Sequence, residues 1–90
     1  MIFDYSYTNS GKRLIAGNGE VGAYNYPPLT KEEILNEIKD FISKEEIENA
    51  RITFTFYPKT AREFDYFREG ENWIWNPENQ NLIAREPSLF

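Results

Sequence analysis

The feature that most constrains this chain is a short amphipathic helix predicted over residues 30–42. Thr30 and Glu33 have the spacing of a capping box, in which each side chain accepts a backbone amide at the start of a helix. Leu29 and Ile34 have the spacing of a hydrophobic staple across that cap. Such a helix needs an apolar surface on which to lie. Its apolar stripe consists of Ile34, Leu35, Ile38, Phe41 and Ile42.

The remaining segments have the alternating pattern of strands in a sheet that this helix can cover. Residues 2–8 alternate, with aromatic side chains on one face and mostly polar ones on the other. Residues 51–57 are the clearest strand, because apolar side chains alternate with threonines and a tyrosine. Further strands are predicted at 72–75 and 81–85, with a turn at 76–80.

Residues 12–26 allow two interpretations. Asn18-Gly19 is a type I′ hairpin signal that would divide the segment into two strands. Alternatively, the segment is one long strand with glycine bulges, antiparallel to the first strand, and we favour this interpretation. In both cases Tyr24 and Tyr26 share a face, and Pro27-Pro28 ends the strand.

Two further capping-box patterns lie downstream. Ser43-Lys-Glu-Glu46 predicts a short helical turn that continues to about residue 49. Thr60 and Glu63 would start another helix over 61–68, but the aromatic residues of that segment are poor helix formers. We therefore favour a strand over 61–68.

These elements predict one domain over residues 1–90 with an α+β fold. The sheet is antiparallel, has four to six strands in the order β-β-α-β-β-β-β, and carries the amphipathic helix on one face. A chain of this length buries a modest core, and large aromatic side chains can compensate for that.

Composition excludes several classes of function. The net charge of −5 disfavours direct binding to nucleic acid or to an anionic membrane, since both need a basic patch. The absence of cysteine and histidine removes thiolate chemistry, the commonest general base and the commonest metal ligand. No apolar run approaches a membrane span, and we expect no signal peptide, because residues 1–8 lack a basic region and an apolar run. We expect a cytoplasmic protein without cofactor or metal, and not an enzyme.

Gly17-Asn-Gly19-Glu-Val-Gly22 matches the G-x-G-x-x-G pattern of dinucleotide-binding proteins. In those proteins the third glycine opens a helix whose N-terminus holds the pyrophosphate. The sequence that follows here, Ala23-Tyr-Asn-Tyr-Pro-Pro28, cannot form that helix. The pattern is interpreted as a turn or bulge.

Acidic side chains are concentrated in two regions. Glu33, Glu37 and Asp40 form a row along the predicted helix, which is either a solvated face or a contact surface for a basic partner. In the second region, Glu69 and Glu71 are the candidate partner-binding residues. An acidic surface of this kind can imitate the phosphates of nucleic acid. The other acids of the second region are Glu63, Asp65, Glu78 and Glu86.

Two aromatic side chains are candidate anchors for a partner. Trp73 and Trp75 share one face of their strand and Ile74 takes the other, so the tryptophans lie either in the core or on an exposed face. We favour the core for the pair, and keep Trp73 as a candidate anchor for the case in which that face is exposed. Tyr57, which lies on the face opposite Phe56, is the other candidate.

The first 55 residues resemble small phage proteins of unknown function from low-GC Gram-positive bacteria. The matching stretches are Tyr5-Ser-Tyr7, Gly17-Asn-Gly19, Pro28-Leu-Thr30 and Ile52–Phe56. The resemblance implies a phage accessory protein, a class whose members often bind and inhibit a host enzyme or defence complex. It carries no catalytic residues that could be transferred to this chain.

Together these observations favour a non-enzymatic acidic binding protein. The expected partner is a host protein with a basic surface, such as a nucleic-acid-handling or defence protein, contacted without direct binding to nucleic acid or membrane. The alternative is a homo-oligomer, such as a homodimer, that sequesters a small ligand through an aromatic surface.

Overall fold

The computed structural model describes residues 1–9, 11, 13–22, 30–47 and 49–85, which form an antiparallel five-stranded sheet and two helices. The sheet has the order β2-β1-β3-β4-β5, so β2 and β5 are its edges. The predicted α+β class is confirmed. The sheet has five strands, within the predicted range of four to six, although the predicted order contained six. The elements are β1 (Ile2–Asn9), β2 (Arg13–Glu20), α1 (Lys31–Lys44), β3 (Ile52–Tyr57), α2 (Ala61–Phe64), β4 (Glu71–Asn76) and β5 (Asn81–Ala84).

Helix α1 begins at the predicted capping box. The amide of Glu33 donates to Thr30 Oγ1 at 3.3 Å, and the amide of Thr30 donates to Glu33 Oε1 at 3.2 Å. The predicted stripe faces the sheet, and Ile34, Ile38 and Ile42 are all buried. Leu29, the outer half of the predicted staple, lies outside the described residues.

The end of α1 differs from the prediction. Ser43 lies inside the helix, so the predicted second capping box and separate helical turn are wrong. The helix ends in a Schellman motif, in which the amide of Ile47 donates to Ile42 O at 3.2 Å and that of Glu46 to Ser43 O at 3.1 Å. Glu46 takes the left-handed position of this motif, with φ 54°, where glycine is usual.

Strand β2 is a single strand paired along its whole length with β1, from Ile2 opposite Glu20 to Asn9 opposite Arg13. The favoured interpretation is confirmed in that respect. The hairpin at residues 18–19 and the glycine bulges are both wrong, because the register is unbroken from end to end. Tyr24 and Tyr26 lie outside the described residues.

The glycines of β2 have a packing role instead. A Cβ atom at Gly17 would lie 2.6 Å from Tyr5 Oη, and one at Gly19 would overlap the ring of Phe3. The bare backbone of β2 therefore lets two aromatic rings of β1 lie against it. Both glycines belong to a strand, which is not the loop of a nucleotide-binding motif.

The core lies between α1 and the face of the sheet that we call the inner face. Neighbouring side chains on that face include Tyr5 on β1, Phe54 on β3 and Trp73 on β4, which are paired across the register. Phe41 of α1 packs edge-on against Phe3 and Tyr5, with ring centroids 5.3 and 5.2 Å apart. The favoured burial of both tryptophans is confirmed. The fully buried large side chains are Met1, Phe3, Ile34, Ile38, Ile52, Phe54, Phe56 and Phe67.

The strand predicted over residues 61–68 is wrong. Thr60 and Glu63 form a complete capping box, and α2 follows it as one short helical turn. Phe67 then enters the core and packs on Phe56, with centroids 4.5 Å apart. The cap and this tertiary contact outweigh the strand preference of the aromatic residues. Neither described helix is long and apolar enough to cross a membrane.

Candidate protein-binding surface

The acidic row of α1 consists of Glu33, Glu37 and Asp40, which are carried on the flank of the helix away from its buried isoleucines. Asp40 is exposed and pairs with Lys44, one turn further along, at 3.0 Å between Oδ2 and Nζ. Such an exposed pair contributes only about 0.3–0.5 kcal/mol and leaves the carboxylate accessible. Glu37 is partly buried and has no ion pair within the described part of the chain.

Glu33 has a structural task as well. Its Oε1 accepts the amide and, at 3.0 Å, the hydroxyl of Thr30, which fixes the carboxylate at the first turn of α1. The first carboxylate of the row is therefore held by hydrogen bonds to Thr30, whereas the other two have no part in the helix cap. A variant that removes Glu33 would change both the cap and the surface, whereas Glu37 and Asp40 report on the surface alone.

The acidic character of α1 continues beyond the row to Glu45 at its C-cap. Burial raises the pKa of the Tyr5 hydroxyl, and the negative charge of Glu45 and the nearby Tyr7 raise it further. Tyr5 and Tyr7 stack with centroids 6.3 Å apart and are only partly buried. The C-terminal end of α1 thus presents carboxylates beside a partly exposed pair of phenol rings.

The second acidic group, Glu69 and Glu71, lies at the start of β4. Glu69 is exposed, and Glu71 accepts the amide of Arg68 at 3.0 Å through Oε2. Lys31 of α1 lies over the ring of Trp73 at 4.6 Å, on the face of β4 that also carries Glu71. The positive charge of Lys31 therefore lies between α1 and β4, and the second group does not continue the acidic row as one negative surface.

The two aromatic candidates lie in different places. Trp73 is 7% exposed and belongs to the core, so it does not offer the exposed surface that an anchor requires. Its indole Nε1 is buried and has no hydrogen-bond partner among the described residues. Tyr57 is partly buried on the opposite face of the sheet, beside Ile2. The structure therefore does not bring either aromatic residue to the acidic row.

One polar cluster was not predicted from the sequence. Glu63, assigned above to the second acidic region, is 6% exposed, and its Oε1 lies 3.1 Å from the α-ammonium of Met1. Burial raises the pKa of the Glu63 carboxyl, but hydrogen bonds from the Lys59 amide at 2.6 Å, from Met1 and from the Thr60 amide outweigh it. The pKa is consequently held below its ordinary value. The spacing of Thr60 and Glu63 predicts the capping box, but no sequence pattern indicates that Glu63 pairs with Met1.

The described residues contain no group of three or more histidine, cysteine, aspartate or glutamate side chains placed to hold a metal ion. No family model, curated protein or solved structure matches the chain. The resemblance of residues 1–55 to phage proteins therefore stays a prediction, and function has to be inferred from the chain's own surfaces.

Proposed function

We propose that this chain is a non-enzymatic binding protein whose acidic row on α1 docks on the basic surface of a host protein. The observation that carries the proposal is the placement of three carboxylates along one flank of α1, away from its buried isoleucines. Charges arranged in this way steer a partner of opposite sign and fix its orientation. Mounting them on a helix lowers the entropy lost on binding.

The proposed biological role is inhibition of a nucleic-acid-handling or defence protein by a phage or other mobile element. Two arguments support it. A basic groove that binds phosphates also accepts a row of carboxylates, which would compete with nucleic acid for it. The resemblance of residues 1–55 to phage proteins is the second argument. Inhibition by nucleic-acid mimicry follows if the row occupies such a groove.

Affinity capture from a host lysate tests the contact. The double variant Glu37→Lys/Asp40→Lys should reduce recovery of the partner at least fivefold, because each change replaces attraction by repulsion. Asp65→Lys/Glu78→Lys is the matched control, since it changes net charge equally at two exposed sites away from α1. Raising the salt concentration should weaken capture by the parent chain as well.

The contact through the row is ruled out if both double variants and the parent chain recover the same proteins at every salt concentration. Circular dichroism on both variants establishes that the fold is retained. Glu33 is left unchanged in this design because of its bonds to Thr30.

A further inference from the structure

The side of the sheet opposite α1, which we call the outer face, is not covered by any residue that the structure describes. The register places side chains in rows across it, and the central row reads Ala16, Ser6, Thr53, Ile74 and Ile83 from β2 to β5. One half of this row is therefore small and the other half bulky. Asp4 lies on β1 in the next row, where Asn18, Thr55 and Asn72 are its neighbours.

Exposed apolar side chains are concentrated on this face. Within the described ranges, the large hydrophobic residues that are exposed are Ile2, Leu14, Phe64 and Ile83, and all but Phe64 are on the outer face. Leu14 on β2 is the most exposed, at 70%. On the β4–β5 side there is a shallow cavity of about 200 Å³, with an apolar floor that includes Ile74 and Ile83. Arg51 and Arg85 also line it.

We propose that the outer face binds a second copy of this chain, stacked sheet on sheet about a two-fold axis that runs parallel to the strands, above β3 and midway between the two sheets. This axis places β2 of each copy over β5 of the other, and β1 over β4. The small half of each central row then meets the bulky half of the other. Ala16 of each copy then lies over Ile83 of the other, and Leu14, two residues along β2, lies over Asn81 at the rim of the cavity. The two sheets would be about 10 Å apart, as in a β-sandwich.

The charges on the outer face are complementary under the same rotation. Asp4 and Arg85 lie on opposite halves of the face, and neither forms an ion pair with another described residue. The rotation brings Arg85 of one copy over β2 of the other, next to the strand that carries Asp4. Glu20, the other acid nearby, is already paired with Lys59. Arg51, just before β3, lines the same cavity as Arg85 and lies close to the axis, so Arg85 is the cation that this rotation brings near an acidic side chain.

The size of the face predicts a weak dimer. Five strands spaced about 4.8 Å apart span roughly 20 Å, so the buried area falls at the low end of specific interfaces. Weak and transient complexes occupy that end of the size range, and we expect a dissociation constant on the order of tens of micromolar. In this dimer both α1 helices face outward, and the proposal is independent of the one made for the acidic row.

Sedimentation velocity from about 5 to about 500 µM tests the dimer. The parent chain should pass from monomer to dimer over that range. Leu14→Lys should weaken association at least tenfold, because it replaces an apolar contact at the rim of the cavity by a cation beside the arginines that line it. Phe64→Lys is the matched control: it changes the charge equally at the exposed apolar residue that lies off this face, and it should leave association unchanged.

A charge exchange tests the two-fold arrangement. Asp4→Arg and Arg85→Asp should each weaken the dimer, and the double variant should restore it to within about threefold of the parent chain. A parent chain that stays monomeric at about 500 µM would overturn the proposal. Equal weakening by Leu14→Lys and Phe64→Lys, or no recovery in the double variant, would overturn it as well. A parent chain that associates only with other proteins would point to a different occupant of this face.

Discussion

Three hydrogen bonds converge on the carboxylate of Glu63, from the Met1 ammonium and the amides of Lys59 and Thr60. Met1 is also paired with Val21, through its ammonium and its carbonyl, both at 2.9 Å. The Glu63 side chain therefore links the start of β1 to the start of α2, and Met1 links both to the segment after β2. No local pattern encodes a contact between residues 62 positions apart.

Replacement of Glu63 by Gln should lower the free energy of unfolding at pH 7 by about 2 kcal/mol or more, since a buried ammonium loses its counter-charge. The folded-state pKa of Glu63 is depressed, so the wild-type carboxylate stabilises the fold above the unfolded pKa of about 4.3. That contribution is lost as pH falls through the folded pKa. Urea unfolding of both proteins between about pH 7 and 3 should show the difference shrinking as acid is added. A difference independent of pH would contradict this assignment.

Glu46 affects stability through its backbone conformation. Because it occupies the left-handed position after α1, Glu46→Gly should raise the free energy of unfolding by about 0.5–1 kcal/mol. Glu45→Gly is the matched control, since Glu45 has φ −80° and gains nothing from glycine. Thermal unfolding should give opposite signs for the two variants. Equal destabilisation by both variants would show that the left-handed conformation of Glu46 does not reduce the stability of the fold.

At the scale of elements, prediction succeeded where a pattern reflects local preference. The cap and stripe of α1 and the alternation of β1, β3, β4 and β5 all predicted the observed elements. The turn or bulge predicted at Gly17 and Gly19 was wrong. Glycine is required both in tight turns and where a neighbouring ring leaves no room for a side chain, and the sequence does not distinguish the two cases. Prediction also failed over 61–68, where the burial of Phe67 and Glu63 decides the structure.

The packing of β1 rings on β2 can be measured by adding one methyl group. Gly19→Ala should cost about 1–3 kcal/mol, because its Cβ meets the ring of Phe3, which is fully buried and cannot move aside. Gly17→Ala should cost less, since Tyr5 is only partly buried and can shift. Asn18→Ala, between them on the outer face, should change stability by less than about 0.5 kcal/mol. Equal costs at all three positions in chemical denaturation would contradict the ring-packing account.

At the scale of the whole molecule, the candidate residues are divided among four places. The acidic row lies on α1, Glu69 and Glu71 lie at the start of β4, Trp73 lies in the core and Tyr57 lies on the outer face. Sequence periodicity assigned the row to one flank of a helix, but it could not tell which face of β4 is buried. That choice depends on which side of the sheet α1 covers, which is a tertiary property.

The interior position of β1, between β2 and β3, has a consequence for how the chain folds. Its pairing with β2 is a local hairpin, whereas its pairing with β3 joins residues about fifty positions apart. The hairpin can therefore form early, while closure of the β1–β3 pair carries most of the loop entropy and limits the folding rate. Until that closure, the aromatic edge of β1 is unpaired, so a nascent chain would be most prone to aggregate before β3 has been synthesised.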